Sequence, residues 1–120
     1  MNQEELIKYK LQGYCCSQII LAAYLKRTGE ENPELIKAMR GLCYGSRIGN
    51  LCGTLSGAIC TMTLAIDGDI EELCKDLSDW FEDKYGSLQC EEIMMLKTEM
   101  CGTLVAETFE QMEGIINANR

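Results

Sequence analysis

Eight cysteines stand at positions 15, 16, 43, 52, 60, 74, 90 and 101 of a 120-residue chain that contains no histidine. Without histidine there is no Ser-His-Asp triad, no Cys-His nucleophile pair, and no imidazole ligand for zinc or haem. The thiols are the groups left to do chemistry, as nucleophiles, disulfide partners or soft metal ligands. No C-x-x-C pair occurs, so the spacing of zinc ribbons and thioredoxin-like sites is absent. Widely spaced single cysteines can still hold zinc or an iron–sulfur cluster where the fold gathers them.

Four of the eight share one local setting. Cys16 follows Gly13, Cys52 follows Gly49-Asn50, Cys90 lies three residues after Ser87, and Cys101 lies three residues after Thr98. Each falls in the first turn of an expected helix, where unpaired N–H groups carry about half a positive charge. That end stabilises a thiolate by about 0.3–1 kcal/mol, and by ~2 when partly buried, which lowers a thiol pKa by roughly 0.2–1.5 units. Arg47 is the cation nearest to Cys52 in sequence and is expected to add to the shift. Cys60 and Cys74 fall in mid-helix and read as small hydrophobes. Cys15 reads as a packing or capping residue, because a bridge to its neighbour Cys16 is strained. Cys43 is open between packing and a resolving thiol.

The elements that must position these residues are helical almost throughout. Helices are expected over Glu4–Leu11, Cys15–Arg27, Pro33 to about Arg40, and Leu51–Ile66. Cys16, Ile19, Ile20, Ala23 and Tyr24 form the inner face of the second. Residues 51–66 carry no charge and are apolar on all sides. They are too short for a ~20-residue membrane span, and read as the central buried helix. Asp69 and Glu72 form a candidate capping box for a helix that Gly86 stops. Its inward stripe is Ile70, Leu73, Leu77, Trp80, Phe81 and Tyr85, a core stripe rather than a cofactor box. Ser87 caps a short helix to about Met95, and Thr98 caps the last, whose inner face is Cys101, Leu104, Val105, Phe109, Met112 and Ile116. No stretch alternates as a strand does. The expected fold is all-α, one domain over residues 1–120, a compact bundle of about six or seven helices around the 51–66 helix.

Other features read as structural. Met94, Met95 and Met100 are expected to fill core, Gly53, Ser56 and Gly57 to let helices approach closely, and Glu71-Glu72 and the acids of 79–83 to face water. Gly41, Gly45 and Gly49 punctuate a loop that lacks the Lys-Ser/Thr ending of a phosphate-binding P-loop.

Composition bounds the partners. The net charge is −8, with 47% hydrophobic and 25% charged residues. Such a chain is globular, and it lacks the cationic surplus that nucleic acid or an anionic membrane requires. The acidic clusters suit a redox partner with a basic surface. The first eleven residues are amphipathic without an apolar signal core, so a cytoplasmic location is expected.

The order of four short pieces is familiar: Gly13-Tyr14-Cys15-Cys16-Ser17-Gln18, Cys52-Gly53-Thr54-Leu55-Ser56-Gly57, Gly86-Ser87-Leu88-Gln89-Cys90, and Cys101. The chain resembles the redox-active protein family named for its C_GCAxxG_C_C cysteine pattern, over roughly residues 13 to 105. The resemblance implies that Cys16, Cys52, Cys90 and Cys101 are the family's signature cysteines. Thr54 stands where alanine is usual, and Cys43-Tyr44 interrupts a loop that is often a run of glycines, which makes Cys43 an addition of this chain. Similar modules occur in haem- and iron–sulfur-containing electron-transfer proteins; no haem attachment motif exists here.

The expected function is therefore a small cysteine-based redox protein, working by thiol–disulfide exchange or electron transfer. Cys52 is its expected attacking thiolate, aided by Arg47, with Cys16 or Cys90 resolving. Four cysteines allow three full pairings. The alternative is an iron–sulfur or zinc module with Cys16, Cys52, Cys90 and Cys101 as ligands.

Overall fold

A computed structural model describes residues 1–96 and 101–120, the side chains of Leu96 and Cys101 excepted. Thr98 and Met100 lie outside the described residues. Among the described residues seven α-helices run in the order α1 (Gln3–Leu11), α2 (Cys16–Thr28), α3 (Pro33–Ala38), α4 (Gly53–Ala65), α5 (Glu71–Tyr85), α6 (Cys90–Leu96) and α7 (Cys101–Ala118). A 3-10 turn, Met39–Leu42, and a wide turn, Gly45–Gly49, link α3 to α4. Among the described residues strand pairing is limited to one antiparallel bridge, Leu51 to Gln89. No helix among them is long and apolar enough to cross a membrane.

Local chemistry sets the helix ends. Asn2 Oδ1 accepts from the Glu5 N–H at 2.8 Å, and Asn32 Oδ1 accepts from Leu35 N–H at 3.3 Å with Pro33 in the first turn. Gly29 and Gly86 close α2 and α5 in the left-handed conformation, which a residue without Cβ adopts at little cost. Asp69 Oδ1 accepts from the Glu71 N–H at 3.0 Å, so the expected box with Glu72 is replaced by a bond to the nearer amide.

The sequence reading assigns all-round burial to the wrong helix. Ser17 to Leu25 of α2 are buried without interruption, because α1, α3, α4 and α7 all pack on it. Helix α4 buries Leu55, Ala58 and Met62 against α2 and α7, while Cys60 and Leu64 face solvent. A charge-free sequence shows what can be buried, not how many neighbours arrive. The small residues of α4 do serve close approach: a Cβ at Gly57 would lie 2.8 Å from Ser17 Cα. Leu77, Phe81 and Tyr85 of α5 meet the Leu104, Val105, Phe109, Met112 and Ile116 face of α7 in the core. Met94 and Met95 are not core filling; they are 38% and 82% exposed.

The segment between α3 and α4 is where the backbone departs most from ordinary geometry. Tyr44, Gly45, Ser46 and Arg47 have consecutive φ values of 54°, 55°, 61° and 69°. For three residues with a Cβ this costs roughly 1–2 kcal/mol each. The turn is pinned at its far end, where Asn50 N–H donates to Gly45 O at 3.0 Å and Asn50 O accepts from Cys90 N–H at 2.7 Å.

Candidate functional site

The cysteines converge where α2, α4 and α6 begin. Cys16 is the first residue of α2, Cys52 immediately precedes α4, and Cys90 opens α6. The Leu51–Gln89 bridge joins the last two segments: Cys52 N–H donates to Leu88 O at 2.8 Å, and Cys90 N–H donates to Asn50 O. Gly53 brings in the first. A Cβ there would lie 2.9 Å from Cys16 Sγ, 2.7 Å from Leu42 O and 3.0 Å from Cys43 Cα. Three of the four signature positions thus share one end of the bundle. The Cys101 side chain lies outside the described residues, although the backbone of α7 begins there.

Cys52 does not have the environment expected of an attacking thiolate. Burial is the largest effect and pushes its pKa from the ordinary 9.0 up to about 11. The N–H groups of Thr54 and Leu55 at the start of α4 pull it down, as a helix end should, but by less than burial raises it. Cys16 adds a further rise, which marks the two sulfurs as electrostatic neighbours. Arg47 is exposed and is committed elsewhere, its Nε donating to Arg40 O at 2.9 Å. The sequence reading gave the helix end the right sign but omitted desolvation, which depends on tertiary packing.

A disulfide joins Cys15 to Cys43, two residues outside the signature set. Cys15 is the N-cap of α2; its N–H donates to Gln18 Oε1 at 3.1 Å, and Gln18 Nε2 donates to Ile36 O at 2.9 Å. Cys43 is only 3% exposed, whereas Cys15 is partly exposed. The bridge therefore has an outer and an inner sulfur. Ser17, fully buried, places its Oγ 3.0 Å from Cys43 Sγ while donating to Met39 O at 2.6 Å. Nothing local in the sequence marks this pairing, beyond a cysteine in a glycine-punctuated loop and another at a helix cap.

Cys60 is an exposed thiol on the outer face of α4, not the buried hydrophobe expected, because that face has no covering helix. Cys74 is partly buried, and desolvation raises its pKa. Cys90 Sγ lies 3.9 Å from Met94 Sδ. Beside Cys52, Tyr85 donates to Glu107 Oε1 at 2.9 Å, and Lys84 Nζ pairs with Glu107 Oε2 at 2.8 Å. Burial first, then the bond to Glu107, pushes the Tyr85 phenol well above its usual range. The Lys84 ion pair holds the Glu107 carboxyl below its ordinary value. Among the described residues no three Cys, Asp or Glu side chains converge as a metal site requires.

One family model matches residues 14–115, a span that takes in both the bridge and the signature cysteines; its description reads "Putative redox-active protein (C_GCAxxG_C_C)". Neither the curated proteins nor the solved structures contain a match to the chain.

Proposed function

The chain belongs to the C_GCAxxG_C_C redox-active protein family, and on that premise we propose that it works by thiol–disulfide exchange, with Cys15–Cys43 as its two-electron couple. The observation that carries the reading is the bridge itself, set beside Cys16 at the end of the bundle where the signature cysteines gather. A reductant's thiolate attacks the outer sulfur, Cys15 Sγ. The Cys15–Cys43 bond breaks, a mixed disulfide forms on Cys15, and Cys43 leaves as a thiolate that takes up a proton. A second thiol of the reductant then attacks the mixed disulfide, releasing the oxidised reductant and leaving Cys15 and Cys43 as a dithiol. The Ser17 hydroxyl is placed to turn from Met39 O to the departing Cys43 sulfur and donate to it.

Cys52 is the resident thiol of this scheme rather than its nucleophile. Its high pKa keeps it protonated near neutral pH, when the bridge is opened and closed.

The test equilibrates native protein in graded dithiothreitol redox buffers, traps thiols with an alkylating agent, and reads modified residues by mass spectrometry. Cys15 and Cys43 should become modified together, and the bridge should return on reoxidation without loss of the fold. A bridge that opens only when the protein unfolds overturns the proposal and leaves Cys15–Cys43 as a structural staple.

A further inference from the structure

Two neighbours of the bridge's outer sulfur, Tyr14 and Gln18, line a cleft of about 330 Å³ between α2 and α3, together with Pro33, Ile36, Lys37 and Arg40. Tyr14 precedes Cys15 in the chain, and Gln18 Oε1 lies 3.5 Å from Cys15 Sγ. The floor is apolar, from Ile36, Pro33 and the Tyr14 ring, which stacks on Tyr9 with centroids 6.1 Å apart. Two of the lining residues are cations and none is acidic.

That charge is opposite in sign to the molecule's. The chain carries 19 acids against 11 bases, yet the charged residues that line this cleft are Lys37 and Arg40. Neither is in an ion pair among the described residues, where the pairs are Arg27–Glu113 and Lys84–Glu107. Arg40 Nε donates to Lys37 O at 3.2 Å, and Arg47 Nε donates in turn to Arg40 O, so backbone carbonyls draw the three cations together. Glu34 lines an adjoining cleft with Lys37 and Arg40, and Glu30 and Glu31 line another that shares Tyr14, Pro33 and Ile36. Beyond a Debye length of about 8 Å the acids of α5 are screened, which leaves Lys37 and Arg40 as the charges on the cleft's own wall.

Resting on the exchange chemistry proposed above, we infer that this cleft selects a small thiol carrying carboxylate groups. Its carboxylates pair with Lys37 and Arg40, its carbon skeleton lies on Ile36 and Pro33, and its thiolate meets Cys15 Sγ. Two such thiols are oxidised to their disulfide as Cys15–Cys43 is reduced to two thiols, so electrons and protons balance. The selectivity opposes the expectation, drawn from the acidic clusters, of a cationic partner.

The experiment measures rates of bridge opening by three probes, 3-mercaptopropionate (anionic), 2-mercaptoethanol (neutral) and cysteamine (cationic), in wild type and in Lys37→Gln/Arg40→Gln. Taking the wild-type to variant ratio for each probe cancels its intrinsic reactivity. The anionic probe should slow by about five- to tenfold in the variant while the neutral one is unchanged and the cationic one speeds up, the scale expected for two exposed charge pairs. Lys75→Gln on α5 should alter none of the three. Equal ratios for all probes overturn the inference but leave the exchange reading intact. A bridge that no probe opens in the folded protein overturns the exchange reading itself.

Discussion

Gly53 and Cys16 are in contact across the α2–α4 junction: the vacant Cβ position of the glycine is 2.9 Å from the cysteine's sulfur. The same position is 2.7 Å from Leu42 O, a backbone atom that cannot swing aside. Gly53→Ala should therefore push the start of α4 away from the 39–42 turn and cost roughly 1–3 kcal/mol. The check is the denaturant midpoint. A midpoint equal to that of wild type would mean that the junction is looser than its distances indicate.

Cys52 should resist alkylation in the folded state. With its pKa near 11 instead of 9.0, its thiolate fraction at pH 8 is about a hundredfold below that of an ordinary thiol. Exposed Cys60 should react first under the same conditions. Site-resolved mass spectrometry over a time course gives both rates, and equal rates would contradict the burial of Cys52.

The same shift makes stability depend on pH in a stated direction. The folded state holds the Cys52 proton more tightly, so as pH rises past about 9 the unfolded chain loses its proton first. Stability from this group is complete below about pH 9 and declines up to about pH 11, by roughly 2–3 kcal/mol. The stability difference between wild type and Cys52→Ala, followed by urea unfolding at a series of pH values, should shrink across that window. A constant difference would rule out the linkage.

Ser17→Ala removes the donor poised at Cys43 Sγ. A hydrogen bond to a charged group is worth about 1.5–3 kcal/mol, so bridge opening should slow by roughly tenfold or more. The stability of the oxidised form will also fall, because Met39 O loses its partner. The rate at which a neutral thiol opens the bridge separates the two effects, since a merely structural serine would leave it unchanged.

Reducing the bridge should destabilise the fold. Its partners are 28 residues apart in sequence, a loop for which chain entropy gives a ceiling of about 3–4 kcal/mol. The melting temperature of wild type should drop on reduction, and that of Cys15→Ser/Cys43→Ser should not respond to reductant at all.

What the sequence discloses and what it withholds divide along the range of the interactions. The cap at Asn32, the stop at Gly86 and the apolar stripe from Leu104 to Ile116 are encoded within a few residues, and each is legible. The positions of Cys16, Cys52 and Cys90 at helix starts are legible for the same reason. The Cys15–Cys43 pairing is not, since it depends on the 39–50 segment folding back onto the start of α2. Nor is the pKa of Cys52, because a helix end is a local feature whereas desolvation sums over every neighbour that packs around it. The left-handed run at 44–47 is the least legible, with tyrosine, serine and arginine in a conformation that composition assigns to glycine.

The three segments that meet at the sulfurs are far apart in chain order, and this has a consequence for biosynthesis. Cys15, Cys16 and Cys43 leave the ribosome before the Leu88–Cys90 segment that anchors Asn50 and Cys52 exists. A nascent chain can already choose between Cys15 and its neighbour Cys16 as the partner of Cys43. The correct choice is favoured as soon as α2 forms, because capping that helix turns Cys15 outward from it and commits Cys16 to its first turn. The bridge's two partners are thus both present once the first 43 residues are made, and the rest of the site is assembled on them.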